Sequence, residues 1–179
     1  VHVLRWPSEE NCFLLFNLRD PTHVGRAHPV LADWRVRRAV ELAIDRHALV
    51  QSVLGPTGRV AQGPLPSPLL DSVFLPDKPA DSAQAAHLLD EAGWRLDRRA
   101  GRRYRRGRML RMRLLVPTSS KERMAAAVLL QEQLRKVGMD VQIEATEMNT
   151  SVDYLLSGRF DATLLNLNWE PSPTSARQV

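Results

Sequence analysis

The sequence predicts an α/β fold with a mixed sheet flanked by helices, and three observations predict it. Residues 140–146 (DVQIEAT) alternate Val141, Ile143 and Ala145 with polar neighbours, the period of a strand with one buried face. Ahead of them, Met124, Ala127, Val128, Leu130, Leu134 and Val137 recur at helical spacing from Lys121, and Gly138 stops the run. Before that helix, Leu114, Leu115 and Val116 read as another strand, which completes a strand–helix–strand unit. Such a unit sets its strands parallel through a right-handed crossover.

The other elements follow in chain order. Residues 12–18 (CFLLFNL) are an apolar run of strand length, and the loop 19–32, with Pro21 and Gly25, ends it. Val36, Ala39, Val40, Ala43 and Ile44 form one helical stripe, with Arg35, Arg37, Arg38 and Glu41 mostly off it. Asp33 can cap that helix, and Asp45 can cap a second one through Leu54, because an Asp oxygen satisfies the free N–H groups of a first turn. Gly55 and Pro56 then stop it. Residues 55–80 hold Pro56, Pro64, Pro66, Pro68, Pro76 and Pro79, too many for either regular element, so an extended surface connection is expected. A third helix opens at Asp81 or Ser82, carries Ala83, Ala86, Leu89 and Ala92, and ends at Gly93, after which Trp94 folds back on the core. Residues 102–116 read as a hairpin turning near Gly107, with Met109, Met112 and Leu114 in its second strand and Pro117 closing it. After 140–146 come a short helix at about 150–156, stopped by Gly158, and a last strand over 160–167 (FDATLLNL).

At 179 residues and 20.2 kDa, with 44% hydrophobic residues, the chain is one ordinary domain or one large lobe of a bigger protein. No apolar run reaches membrane-span length, and no basic, apolar, small-residue start reads as a signal peptide. The beginning at Val1 reads as that of a fragment. The single cysteine, Cys12, excludes an internal disulfide and a multi-cysteine metal site; beside Phe13, Leu14 and Leu15 it is expected as a buried thiol. Catalysis finds no support. His2, His23, His28, His47 and His87 lack the spacing that puts two ligands on one helix face, and no Gly-rich phosphate loop, Gly-x-Ser-x-Gly or paired carboxylate set is present. The expectation is therefore no enzyme, no cofactor and no metal.

The formal charge of +5 is a local effect. Residues 95–113 carry ten arginines against one acid, Asp97, so the rest of the chain is mildly acidic. Two readings of this stretch stand side by side: a solvated, arginine-coated hairpin, or a basic nucleic-acid-binding module. Only Tyr104 interleaves as a stacking aromatic, where a single-strand-binding surface needs several. The nucleic-acid reading predicts DNA binding that falls steeply with salt and is lost on replacing Arg102, Arg103, Arg105 and Arg106.

Three motifs, taken in order, carry a resemblance. Val36, Arg37, Ala39, Ala43, Asp45, Arg46, Pro64 and Pro66 form the first; Asp81, Ala85, Leu88, Leu89, Ala92, Gly93 and Trp94 form the second. The third is the helix ending Leu134-x-x-x-Gly138, followed by Gly158-x-Phe160-Asp161 and Trp169. Together they resemble the bacterial extracellular solute-binding proteins of family 5, the peptide and nickel type that feed ABC importers, from about residue 13 to 173. The resemblance implies most of the C-terminal lobe of a type II, periplasmic-binding-protein-like fold, spanning 1–179, that closes on a solute against an N-terminal lobe outside this chain. It also implies an ABC permease as partner, a periplasmic or cell-surface location, and a short peptide as the leading solute. Nickel-chelate, opine and sugar binders share the scaffold. A structural remnant or purely interacting domain stands as a third reading.

Ligand chemistry in an open α/β sheet belongs beyond the carboxyl ends of the strands, which here selects Asn166, Asn168, Trp169 and Glu170. In peptide-binding members a Trp followed shortly by an Asp lies at this place, and the acid pairs with the peptide's amino group. Glu170 directly follows Trp169, so matching it to that aspartate requires a gap. A carboxylate in a closed, dry cleft pairs a cationic ligand end more strongly than one on an open surface.

Overall fold

The computed structural model describes residues 10–61 and 79–168. Its elements are β1 (Glu10–Phe16), α1 (Trp34–Ala43), α2 (Arg46–Leu54), α3 (Ser82–Glu91), β2 (Arg95–Asp97), β3 (Arg102–Arg105), β4 (Arg108–Met109), β5 (Arg111–Pro117), α4 (Lys121–Lys136), β6 (Asp140–Thr146), α5 (Met148–Ser157) and β7 (Ala162–Asn168). Most of the proline-rich connection, residues 62–78, lies outside the described residues.

The main sheet has the order β1-β7-β5-β6. β5 and β6 are parallel, Arg111 opposite Asp140 through Pro117 opposite Thr146, as a strand–helix–strand unit requires. β7 joins the other side of β5, also parallel, with Leu114 opposite Ala162. β1 is antiparallel to β7, from Glu10 opposite Asn168 to Phe16 opposite Ala162. β1 begins and ends two residues earlier than its apolar run suggests. Asn17 ends it: its side-chain amide donates to the carbonyls of Gly158 and Phe160, both at 2.9 Å, and its N–H donates to Asp161 at 2.8 Å.

The helix starts at Asp33, Asp45 and Asp81 are capped as expected, and Ser120 caps the long helix as well. Side chains of Asp33, Asp45, Asp81 and Ser120 accept backbone N–H groups from Arg35, Ala48, Gln84 and Arg123, which satisfies donors that the first turn leaves free. The buried stripe of α3 is Ala85 and Leu89 rather than Ala83 and Ala86, because Leu89 sets the inward direction and alanines tolerate either face. Val128 of α4, expected inside, is 52% exposed, whereas Ala126, Ala127, Leu130 and Leu134 are buried. Trp94 is fully buried, as anticipated, and packs with Leu31, Val36, Leu110, Met112, Leu114 and Leu134 in the core.

The expected hairpin over 102–116 is different. β2, β3 and β4 form a separate antiparallel ribbon, and β5 leaves it for the main sheet. Arg106 and Gly107, with φ of 51° and 77°, make a tight turn that returns only for β4. Beyond Leu110, the residues Met112, Leu114 and Val116 gain full burial by pairing with β6 instead.

Nor is the arginine run simply a solvated coat. Arg103 is 3% exposed; its Nε donates to the Val137 carbonyl at 2.8 Å, and one terminal nitrogen donates to Trp94 O at 2.7 Å and Asp90 at 2.8 Å. Arg105 lies 4.5 Å above the Trp94 ring and donates to Pro29 O. Arg102 and Arg111 share Asp140, and Arg113 reaches Asp161. Arg103 and Arg105 thus tie the ends of α3 and α4 to the ribbon. Gly138 is part of the tie: its φ is 84°, and a Cβ there would fall 2.9 Å from Arg103 Cγ. Arg98, Arg99, Arg106 and Arg108 make no ion pair or side-chain hydrogen bond among the described residues. Among those residues, too, no helix is long and apolar enough to cross a membrane.

Candidate functional site

The three parallel strands end at one edge of the main sheet. There the Thr118 N–H donates to Thr146 O at 2.9 Å, linking the ends of β5 and β6. Ser120 opens α4 beside them, its hydroxyl accepting the Arg123 N–H at 3.2 Å and donating to the Glu122 carboxylate at 3.0 Å. Because β1 runs against β7, Glu10, Asn11 and Cys12 come to the same edge. The polypeptide thus comes into the sheet and leaves it side by side.

Of the residues selected from the sequence, Asn166 and Asn168 lie here, opposite Cys12 and Glu10 of β1 in the strand register. The Asn166 amide donates to the Glu10 carboxylate, while its occluded oxygen has no hydrogen-bond partner. Trp169 and Glu170 lie outside the described residues. Cys12, expected as a buried thiol, is exposed on the edge strand β1. Although the residue as a whole reaches solvent, the surrounding walls desolvate its thiolate and push the pKa up; the charge of Arg123 opposes this and Glu10 adds to it.

From this edge a groove of about 1070 Å³ runs between the β1–β7 face, α2 and α4. Leu14, Phe16 and Leu164 form its floor; Leu49, Val53 and Leu130 form its walls. Ser120, Arg123, Asn166 and Glu10 stand at its polar end. An apolar trough with a few converging polar groups is the usual make-up of a small-molecule site. Glu10 escapes a reading of the sequence because it is remote in the chain from Ser120, Arg123 and Asn166 and reaches this edge only through the antiparallel pairing of β1 with β7. The one local signal was the Ser120 cap. Among the described residues no group of three or more His, Cys, Asp or Glu is placed to hold a metal ion.

The start of β7 is anchored by a second polar cluster that is structural. His28 is buried; its Nδ1 accepts the N–H groups of Val30 and Leu31 at 3.1 and 2.9 Å, so the neutral ring carries its proton on Nε2. Nε2 faces Asp161 Oδ1 at 3.3 Å, too obliquely for a full hydrogen bond. Asp161 also accepts the Arg113 N–H at 2.8 Å. Burial pushes the Asp161 pKa up, but His28, the Arg113 N–H and the Arg113 charge outweigh it and hold the carboxyl below its ordinary value.

Comparison with known proteins accounts for this architecture. The profile of the bacterial extracellular solute-binding proteins, family 5 Middle, matches residues 3–178. Protein XP55 of Streptomyces lividans is 36% identical over 121 residues, which is 66% of this chain and 22% of that protein. NikZ from Campylobacter jejuni, solved in complex with Ni(L-His), superposes with a TM-score of 0.82 at 26% identity, covering 97% of this chain and 32% of its own. The oligopeptide-binding protein AppA of Bacillus subtilis, solved in complex with a nonapeptide, gives a TM-score of 0.72 at 26% identity, covering 92% of this chain and 34% of its own. The chain therefore spans between about a fifth and a third of the length of these relatives. With its motifs, its mixed sheet and its profile in agreement, the chain belongs to the bacterial extracellular solute-binding proteins of family 5, and it has their type II periplasmic-binding-protein fold.

Proposed function

We propose that this chain is most of the C-terminal lobe of a two-lobed, exported solute-binding protein, which captures a short peptide and delivers it to an ABC importer permease. The solute lies against the carboxyl edge of the main sheet, where Asn166, Asn168, Trp169 and Glu170 contribute from this side and an N-terminal lobe closes from the other. The lobe performs no chemistry of its own; it supplies one wall of a cleft. The observation that carries this reading is the adjacency of Glu10 and Asn168 at the polar edge. Glu10 and Asn168 lie opposite each other at one end of the sheet, as the ends of two connections to a companion lobe would. A peptide is favoured over a compact solute by the volume and apolar floor of the groove.

The test is to purify the two-lobed parent protein, release its bound solutes and identify them by mass spectrometry. Short peptides support the reading; a sugar, an opine or a nickel chelate moves the solute class, and failure of the two-lobed protein to bind any solute overturns the importer assignment. Asn166→Ala is expected to weaken peptide binding by about tenfold, the loss of one or two hydrogen bonds. The 179-residue chain alone leaves the cleft open and wet, so calorimetry is expected to show no measurable peptide affinity.

A further inference from the structure

We propose that the amino end of the main sheet is a docking surface for an anionic phospholipid membrane, built by Arg19 and Arg26 of the loop after β1 and by Arg98, Arg99, Arg106 and Arg108 of the ribbon. The topology brings these two segments, remote in the chain, to the end where the parallel strands β5, β6 and β7 begin. Asn17 and His28 hold the loop against the start of β7 through Gly158, Phe160 and Asp161. The Arg103 N–H donates to Gly138 O and the Asp140 N–H to Leu110 O, which holds the ribbon against the starts of β5 and β6. Arg105 links ribbon to loop by donating to Pro29 O at 2.9 Å.

The named arginines are all exposed, and among the described residues none has an ion pair or a side-chain hydrogen bond. Their charge is not cancelled locally. On residues 17–32 and 95–110 the carboxylates are Asp20 and Asp97, each bound into its own turn. The neighbouring Asp90, Asp140 and Asp161 are taken by Arg103, Arg111 and Arg113. Charge of one sign gathered at one end of a molecule steers that end onto a surface of the opposite sign. Two features favour lipid over nucleic acid. Leu18 and Val24 on the loop and Leu96 on the ribbon are exposed, and apolar side chains that enter a headgroup region add to the attraction of basic ones. Stacking aromatics are lacking there, since Tyr104 of the ribbon is half-buried. A hollow of about 400 Å³, lined by Leu18, Arg19, Gly25, Arg26 and Ala27, offers a seat for one headgroup. β5 spans seven residues, so this end lies about 20 Å from the carboxyl edge. Membrane contact therefore leaves the candidate solute cleft uncovered.

The surface lies wholly on this chain, so the 179-residue protein is tested by co-sedimentation with vesicles at low ionic strength. One set is phosphatidylcholine alone; the other is equal parts phosphatidylcholine and phosphatidylglycerol. Binding is expected only to the mixed vesicles, and it should weaken steeply as added salt shortens the Debye length. Arg106→Gln should weaken it about fivefold, the scale of one basic residue at an anionic surface, and Arg19→Gln with Arg26→Gln should weaken it further. Lys121→Gln, which removes the same charge at the opposite edge, should leave it unchanged. Equal binding to both vesicle types, no binding to the mixed vesicles, or equal losses in Lys121→Gln and Arg106→Gln overturns the surface. Tighter binding to a DNA duplex than to the mixed vesicles at the same salt makes the partner nucleic acid and overturns the lipid assignment. Solute release from the two-lobed protein is a separate measurement, so the solute-binding reading stands or falls independently.

Discussion

The two sides of the helix-covered sheet face differ in how they are held. Around β5, β6, α3 and α4, a run of residues including Trp94, Leu89, Leu110, Met112, Leu114, Leu134 and Met139 is closed to solvent, each contributing about 1.5–3 kcal/mol by burial. At the other side, α2 has no buried residue and β1 is only half-covered, although both are rich in Leu, Val and Phe. The stable side builds the scaffold; the lightly packed side borders the groove. Both sides carry apolar side chains, so the difference lies in which surfaces the fold leaves for something else to cover.

Breaking the scaffold side should cost most. Trp94→Ala is expected to destabilise by about 3–5 kcal/mol in urea unfolding, whereas Leu49→Ala on α2 should cost about 1 kcal/mol, because its cavity opens onto the groove. Similar losses at the two sites would erase the comparison. Arg103→Met should cost about 2–4 kcal/mol, since it strands the carbonyls of Val137 and Trp94 inside the structure. It would also show that loss of nucleic-acid binding in an Arg103 variant reports on folding rather than on contact.

The smallest effect is a pH dependence. The pKa of Asp161 is lowered in the fold, so its contribution is fully present above the unfolded value near 3.9 and is lost as pH falls through the lower, folded value. The urea midpoint of the wild type should therefore drop below about pH 4, and Asp161→Asn should flatten part of that drop. An unchanged profile in Asp161→Asn would assign the acid sensitivity elsewhere, the other carboxyls held low including Asp20, chiefly by the Thr22 hydroxyl, and Asp33, chiefly by its hydrogen bond from Arg35.

Much of the fold was legible because its signals are local. The bounds of β6 and the caps at Asp33, Asp45 and Asp81 follow from neighbours within four residues. The ribbon was misread because Gly107 announces a turn but cannot say that Met112 to Val116 will find β6, more than two dozen residues away, a better partner than β3. The arginines were misread for a related reason. Arg103 and Arg106 look alike in sequence, yet one is sealed beneath Gly138 and the other sits on a turn. Of the candidate site, the place of Asn166 at the carboxyl edge was legible from strand direction alone; its meeting with Glu10 was not, since that depends on the antiparallel pairing of β1 with β7.

The pairing of Glu10 with Asn168 has a practical consequence. Neighbouring strands lie about 5 Å apart, so the two passes of chain could be spliced into a surface loop of an unrelated host with only short linkers. The whole unit is in that sense a graft, and a reporter protein interrupted by it would sense any movement of the two passes relative to each other.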